Sequence, residues 1–510
     1  MSAFRHRDME TWPPLAWLAV CEPSRSEILV LHGSRVETRD EWFCEAVWDG
    51  AFERGDFDAN DRVYGSGARA RDGVVRFVSC GTTLDRLHHV QRGSRSFVSN
   101  SLAALVAGAG LDLDPTCPHY VKDFLSIKRG YRDHVRQLRT TAEPIELVYY
   151  DDLVWSDGVL SRAPKHHRKA DLGSFAAYRR FMDDTLARLF ANARSEARAH
   201  RYEPVAALSS GLDSGASAAL AAPHGLREAF TFRHGRGGRA DAGRETARAL
   251  GLDLHELERH AWRDHVLPEV PFLLADGRGP DVFYRAAEPL LAGRLLLTGY
   301  GGGGLWGLKR RIDGDALVRI DTSGLSLAEY RLWTGALHVP VPMIGYRQAP
   351  EIDALGRQPE MAAWRVGGPY DKPVARRILL EAGVPESALA CANRAATVLW
   401  AGEGTFFSEA SREDFAAWLR RNEARLAPSH PGPPVRDLPR DGRREALGRA
   451  LLEFANRSPR AKRPMKAVAW RLLRMADPRP VMRYFLPWAM EHGRRRYAHP
   501  ALAELAGPPR

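Results

Sequence analysis

Cysteine is scarce in this chain of 510 residues: Cys21, Cys44, Cys80, Cys117 and Cys391 are the only five, and no two stand in a paired spacing. That excludes a disulfide framework and a cysteine-based zinc site, and it leaves the five as reduced, structural residues. Long apolar runs are also lacking, since no stretch approaches the ~20 uninterrupted apolar residues that a membrane helix requires. The opening Met1-Ser-Ala-Phe-Arg-His-Arg-Asp-Met-Glu-Thr-Trp12 carries charge without the apolar core of a secretory signal. A cytoplasmic protein without membrane association is the expectation. Internal repeats are absent as well. The net charge of +11, from 74 Lys and Arg against 63 Asp and Glu, is carried mostly by Arg spread through the chain.

What is present suits two or three domains, each able to bury its own core. From about 15 to 165, short apolar runs such as Glu27-Ile-Leu-Val-Leu31 and Val74-Val-Arg-Phe-Val-Ser79 alternate with Gly and Asp turns, which predicts a β-rich half. An amphipathic helix is predicted from Leu172 to Ala199, with Phe175, Tyr178, Phe181, Leu186 and Leu189 near helical spacing. Then Pro204 to Leu208, Ala229 to Phe232 and Gly293 to Thr298 read as strands, with a helix from Arg244 to Leu250 between the last two. Strand and helix in alternation imply a parallel sheet with its ligand crevice at the strand ends. The Pro- and Gly-rich run 427–442 reads as a linker or surface loop. Beyond it, the tail 443–510 mixes Arg460, Lys462, Arg463, Lys466, Arg494, Arg495 and Arg496 with Trp470, Tyr484, Phe485 and Trp488. This reads better as a helical subdomain with a solvated basic face than as an RNA surface, so nucleic acid is not an expected partner.

The most informative segment follows the first of those strands: Ser209-Ser210-Gly211-Leu212-Asp213-Ser214, then Gly215-Ala-Ser-Ala-Ala-Leu220. Small apolar residues suit a buried strand, Ser and Gly break it, and a helix is predicted to begin at Ser214. Such a turn aims free N–H groups and the positive helix end at one point, with Gly211 allowing close backbone approach and the Ser hydroxyls adding donors. A phosphate fits there. Asp213 in an anion site makes sense with a magnesium ion between carboxylate and phosphate. An ordinary strand-to-helix turn uses the same residue types, and the Gly-Lys-Ser/Thr of the common P-loop is absent.

The segment resembles the Ser-Gly-Gly-x-Asp-Ser loop of ATP pyrophosphatase enzymes, with Ser210 in place of the first Gly. With Phe97-Val-Ser-Asn-Ser-Leu-Ala-Ala-Leu105, Arg244-Glu-Thr-Ala-Arg-Ala-Leu-Gly251 with His255, Thr298-Gly-Tyr-Gly-Gly-Gly-Gly-Leu-Trp-Gly307, Ser326-Leu-Ala-Glu-Tyr-Arg331 and Tyr370-Asp-Lys-Pro-Val-Ala-Arg-Arg377 in this order, the chain is similar to the class B asparagine synthetase family. Within it the β-lactam synthetase and lasso peptide cyclase branch is nearest. The resemblance extends to about residue 410. It implies an α/β fold: a β-rich, Ntn-hydrolase-like degenerate glutaminase domain over 1–168 and a parallel-sheet synthetase domain over 169–510 with the helical tail. It also implies ATP and Mg2+ as cofactors, with Ser209, Ser210, Gly211, Leu212, Asp213, Ser214, Thr231, Phe232, Gly299, Gly301 and Gly302 around the nucleotide and Asp213 on the metal.

The implied activity is adenylation of a small-molecule or peptide carboxylate and its capture by an amine or ammonia, with loss of AMP. Tyr300 paired with Glu329 is the implied base, since a phenol alone is too weak at neutral pH. Residue 2 is Ser2 where glutamine users carry a nucleophilic Cys, which argues against glutamine hydrolysis and makes the N-terminal domain a scaffold or substrate platform. Gly303-Gly304 stands where relatives have an acid that helps hold magnesium. Arg394 lies nearest the place of their catalytic Lys, with Lys372 in reserve. A nucleotide- or partner-binding subunit without turnover is the alternative these losses raise. A homo-oligomer or a biosynthetic partner protein stays open.

Overall fold

The computed structural model describes residues 3–235, 243–309, 311, 312, 314, 316–368, 370–389, 396–398, 407–426, 442–457, 462–476 and 479–506. Arg394, Cys391, Arg460 and residues 427–441 of the expected linker lie outside these, as do the side chains of Lys462, Arg463 and Trp470.

The N-terminal half consists of thirteen strands: β1 (Phe4–Asp8), β2 (Trp17–Cys21), β3 (Ile28–His32), β4 (Glu37–Thr38), β5 (Trp42–Trp48), β6 (Val63–Arg71), β7 (Val74–Val78), β8 (Leu87–Arg92), β9 (Arg95–Ser99), β10 (Gln137–Leu138), β11 (Ile145–Val148), β12 (Asp152–Ser156) and β13 (Val159–Ala163). They form a seven-stranded sheet in the order β1-β3-β2-β9-β8-β11-β10 and a six-stranded one in the order β13-β12-β7-β6-β5-β4. Every pairing is antiparallel except β1 with β3. The two-residue period of a strand sends Trp17, Ala19 and Cys21 to one face, where they meet Phe43, Ala68, Phe77 and Leu153 of the other sheet in a buried layer. Leu18, Val20 and Leu31 point the other way into a larger core, against the helix Leu102–Gly108.

That larger core draws on both halves of the chain, from Met9 to Leu502, so the halves share apolar interior. The four described cysteines are buried and free.

After the helix Phe175–Arg194 come five strands: β14 (Pro204–Ala207), β15 (Glu228–Phe232), β16 (Asp253–Leu257), β17 (Leu295–Thr298) and β18 (Leu337–Pro340). They form an all-parallel sheet in the order β16-β15-β14-β17-β18. Three were expected; the edge strands β16 and β18 were not. β16 reads Asp-Leu-His-Glu-Leu and has no fully buried residue, so its apolar signal is diluted. The chain winds outward from β14 to β16, then restarts on the other side with β17. The winding reverses between β14 and β17, and a crevice opens where such a sheet reverses.

The tail is helical, over Gly442–Arg457, Lys462–Ala476, Phe485–Tyr497 and Pro500–Ala506. Tyr484, Phe485 and Trp488 are buried, so these rings belong to the core and present no stacking platform to bases. No helix among the described residues is long and apolar enough to cross a membrane.

Candidate functional site

The crevice is floored by the turn after β14. Its helix starts at Leu212, two residues before the expected Ser214, and Gly211 is the N-cap in extended conformation (φ −72°, ψ 144°). Asp213 and Ser214 therefore lie in the first turn, whose N–H groups have no acceptor within the helix. The hydroxyls, expected as outward donors, close the turn on itself instead. Ser209 Oγ and Ser214 Oγ are 2.8 Å apart; Ser214 Oγ accepts from Ser209 N at 3.1 Å, and Ser209 Oγ accepts from Gly211 N at 3.1 Å. The Tyr370 hydroxyl accepts weakly from Leu212 N at 3.4 Å.

The second loop, after β17, packs directly on the first. A methyl group built on Gly299 would lie 2.5 Å from the backbone C of Asp213 and N of Ser214, and one on Gly302 would meet the Asp213 side chain at 2.7 to 2.8 Å. Only hydrogen fits at either place. Gly301 adopts φ +87°, a left-handed conformation that favours glycine. Gly299 and Gly302 thus allow the two loops to touch, while Gly301 lines a cavity of about 210 Å3 together with Ser209, Gly211, Asp213 and Ser214.

Asp213 is the centre of charge. Its Oδ2 accepts from Lys372 Nζ at 2.5 Å, and its buried Oδ1 has no hydrogen-bond partner. Burial raises the Asp213 carboxyl above the usual range, with Lys372 pulling the other way. Burial opposes the charge on Lys372 too, but Asp213, Tyr370 and Asp321 outweigh it and hold the ammonium above its ordinary pKa. Lys372, the reserve candidate, therefore sits at the site. A carboxylate within a phosphate-type turn, with one oxygen left without a partner, is a donor that fits magnesium. Among the described residues no group of three or more His, Cys, Asp or Glu is placed to hold a metal, so the donor set suits an ion that takes its other ligands from phosphate and water.

Tyr300 lines the cavity, but its partner is not Glu329. The Tyr300 hydroxyl donates to Asp281 Oδ1 at 3.0 Å. Asp281 is locked by Ser326, whose Oγ donates to Oδ2 at 2.7 Å and accepts from the Asp281 N–H at 3.0 Å. Burial raises the Asp281 carboxyl to about 6, and burial, then Asp281, push the Tyr300 phenol well above its usual value. Glu329 points elsewhere: its Oε1 accepts from Ser101 Oγ at 2.9 Å, Trp333 Nε1 at 3.0 Å and Tyr497 OH at 2.7 Å. Thr231 is buried and accepts from Gly243 N–H at 3.4 Å, outside the cavity lining, whereas Phe232 joins Phe283 and Tyr284 as its aromatic wall. Leu212 is buried beneath the turn, and Ser210 is half-buried beside it. Asp281 and Asp321 were missed. Neither belongs to a recognisable spacing; the proline before Asp281 and the Ser326 hydroxyl were the only local signs of a fixed turn.

No protein-family model matches the chain, and no curated protein matches it.

Proposed function

We propose that this chain is an ATP-dependent, AMP-forming amide ligase of the asparagine-synthetase type that activates a carboxylate and joins it to an amine without using glutamine. The observation that carries this reading is the meeting of two glycine loops on Asp213, at the point where the parallel sheet reverses its winding. The first-turn N–H groups after Gly211 and the Lys372 ammonium would bind the triphosphate. Asp213 would hold magnesium, which when bound neutralises charge on the departing pyrophosphate.

Tyr300 lines the same cavity with Asp281 behind it, a pair suited to the second half of the reaction. With a pKa of about 6, Asp281 is mostly ionised at neutral pH. Its carboxylate can take the Tyr300 proton while the Tyr300 oxygen takes one from the attacking amine, so the proton ends on Asp281 and no phenolate has to be left behind. Phe232, Phe283 and Tyr284 form an apolar wall for the nucleoside or the acyl group. The paired antiparallel sheets of the N-terminal half suit a degenerate glutaminase-like domain that acts as scaffold.

Incubation of the purified protein with ATP, Mg2+ and sets of amino acids or peptides tests this reading. AMP and pyrophosphate should appear in equal amounts with an amide, and Asp213→Ala should abolish them. ADP with phosphate, or no turnover across such sets, would overturn it. The glycine at position 303, where an acid is expected, favours the second reading of a subunit that binds nucleotide without turnover. Binding with no AMP release would select that one.

A further inference from the structure

Resting on the ligase reading, we infer that Asp321 supplies the second carboxylate of the metal site, from a loop 18 residues beyond the glycine that lacks it. Gly303 faces the cavity with room to spare. A methyl group built there would lie 3.9 Å from Asp213 Oδ2, 3.9 Å from Lys372 Nζ and 4.0 Å from Asp321 Oδ2. Asp321 therefore reaches the space that a longer side chain on residue 303 would fill. Both carboxylates line the same cavity, and Asp213 has its buried Oδ1 without a partner.

The loop that carries Asp321 is fixed. Ser323 N–H donates to Asp321 Oδ1 at 3.1 Å, and Oδ2 bonds no described residue. Arg319 is buried and donates to Thr83 O at 3.3 Å and Ser323 O at 2.6 Å; its own N–H goes to Lys128 O at 3.2 Å. Arg278 holds Thr322 Oγ1 at 2.9 Å. Arg319 Nη2 also stands 3.9 Å from Asp321 Oδ1, and the Asp321 side chain, which lines the cavity, is 44% exposed. Residues of the N-terminal half thus present a carboxylate to the magnesium position, and the ion would rest on Asp213, Asp321, phosphate and water, a set of the kind magnesium accepts.

The test is titration of the full-length protein with Mn2+, read by the electron paramagnetic resonance of the free aquo ion, with a non-hydrolysable α,β-methylene analogue of ATP present. Asp321→Ala should weaken Mn2+ binding about 10-fold or more and leave metal-free binding of the analogue unchanged. Moving the acid back, with Gly303→Asp in the Asp321→Ala background, should restore Mn2+ affinity, which a merely misfolded loop would not allow. Wild-type Mn2+ affinity in Asp321→Ala overturns the assignment and leaves the ligase reading standing. A wild-type protein that holds neither the analogue nor Mn2+ overturns both.

Discussion

The contact between the two glycine loops can be broken with one methyl group. In Gly299→Ala the new carbon would sit 2.5 Å from two backbone atoms of the Asp213 turn, where ordinary contact begins near 3.4 Å. Because the neighbours are backbone, no rotamer change relieves the clash, and the loops must separate by about 0.9 Å. Overpacking of this kind costs about 1–3 kcal/mol, and a misplacement of about 1 Å at a site that depends on orientation costs about 100-fold in rate. Gly303→Ala makes the same chemical change four residues later, where nothing lies within 3.9 Å, in the short helix Gly302–Leu305. There alanine should be neutral or stabilising by up to about 1 kcal/mol, because glycine is the poorer helix former. Urea denaturation and calorimetric titration with the ATP analogue should therefore move in opposite senses: lower stability and weaker binding for Gly299→Ala, unchanged or higher stability for Gly303→Ala. Equal stability and wild-type nucleotide affinity in Gly299→Ala would refute the argument that the loops must touch.

Tyr300→Phe should reduce amide formation about 100-fold or more while sparing nucleotide binding, the lower range expected for loss of a general base. The rate should rise with pH through about 6, as Asp281 ionises, and Asp281→Asn should remove that limb. Because the fold raises the Asp281 pKa above its unfolded value, this group opposes folding above pH 6, and its contribution improves as pH falls toward 4. Asp281→Asn should flatten the stability profile in that window. Glu329→Gln keeps the acceptor that holds Ser101, Trp333 and Tyr497, so turnover should stay unchanged; loss of activity with the fold intact would restore Glu329 as the base. Arg331→Met should cost about 3–5 kcal/mol at neutral pH in urea denaturation, because Arg331 holds Glu45 Oε2 at 2.5 Å and Asp85 Oδ2 at 2.9 Å with all three groups buried. Burial already raises the Glu45 carboxyl, so the loss should shrink in acid, where Glu45 takes a proton.

The parts of the site that were legible in the sequence are those built locally. A strand, a turn of small residues and a helix leave a contiguous signature around Asp213, and the glycine run after Thr298 announces a backbone that must come close to something. The strands β14, β15 and β17 were readable because their centres are apolar, whereas the edge strands β16 and β18 are no shorter but interrupt their apolar residues with His255 and Glu256 in one and His338 in the other. The pairing of Tyr300 was misread for a geometric reason. Glu329 was paired with it through the family resemblance, but the helix Leu327–Thr334 puts Glu329 with Trp333, four residues on, against Ser101 and Tyr497. The carboxylate that reaches Tyr300 comes from upstream, held by Ser326 just before that same helix. Helical periodicity states which residues share a face; it does not state which neighbour the face meets.

This helix also explains why the N-terminal half matters to a site it does not line. Three of its consecutive residues face three ways: Glu329 to Ser101 and the C-terminal Tyr497, Tyr330 to the carbonyl of Tyr284 at 3.1 Å, and Arg331 to Glu45 and Asp85. Ser326, at its start, fixes Asp281 and so the acceptor for Tyr300. The residue before its entry loop, Arg319, is anchored to Thr83 and Lys128 and sets the position of Asp321. A buried Arg shared by two carboxylates contributes little net stability compared with well-packed apolar side chains, but it tolerates few alternative arrangements, because any slippage leaves a charge buried and unpaired. The sandwich therefore acts on the crevice through register: it holds in place one helix, whose leading Ser326 fixes Asp281, and one loop, which carries Asp321.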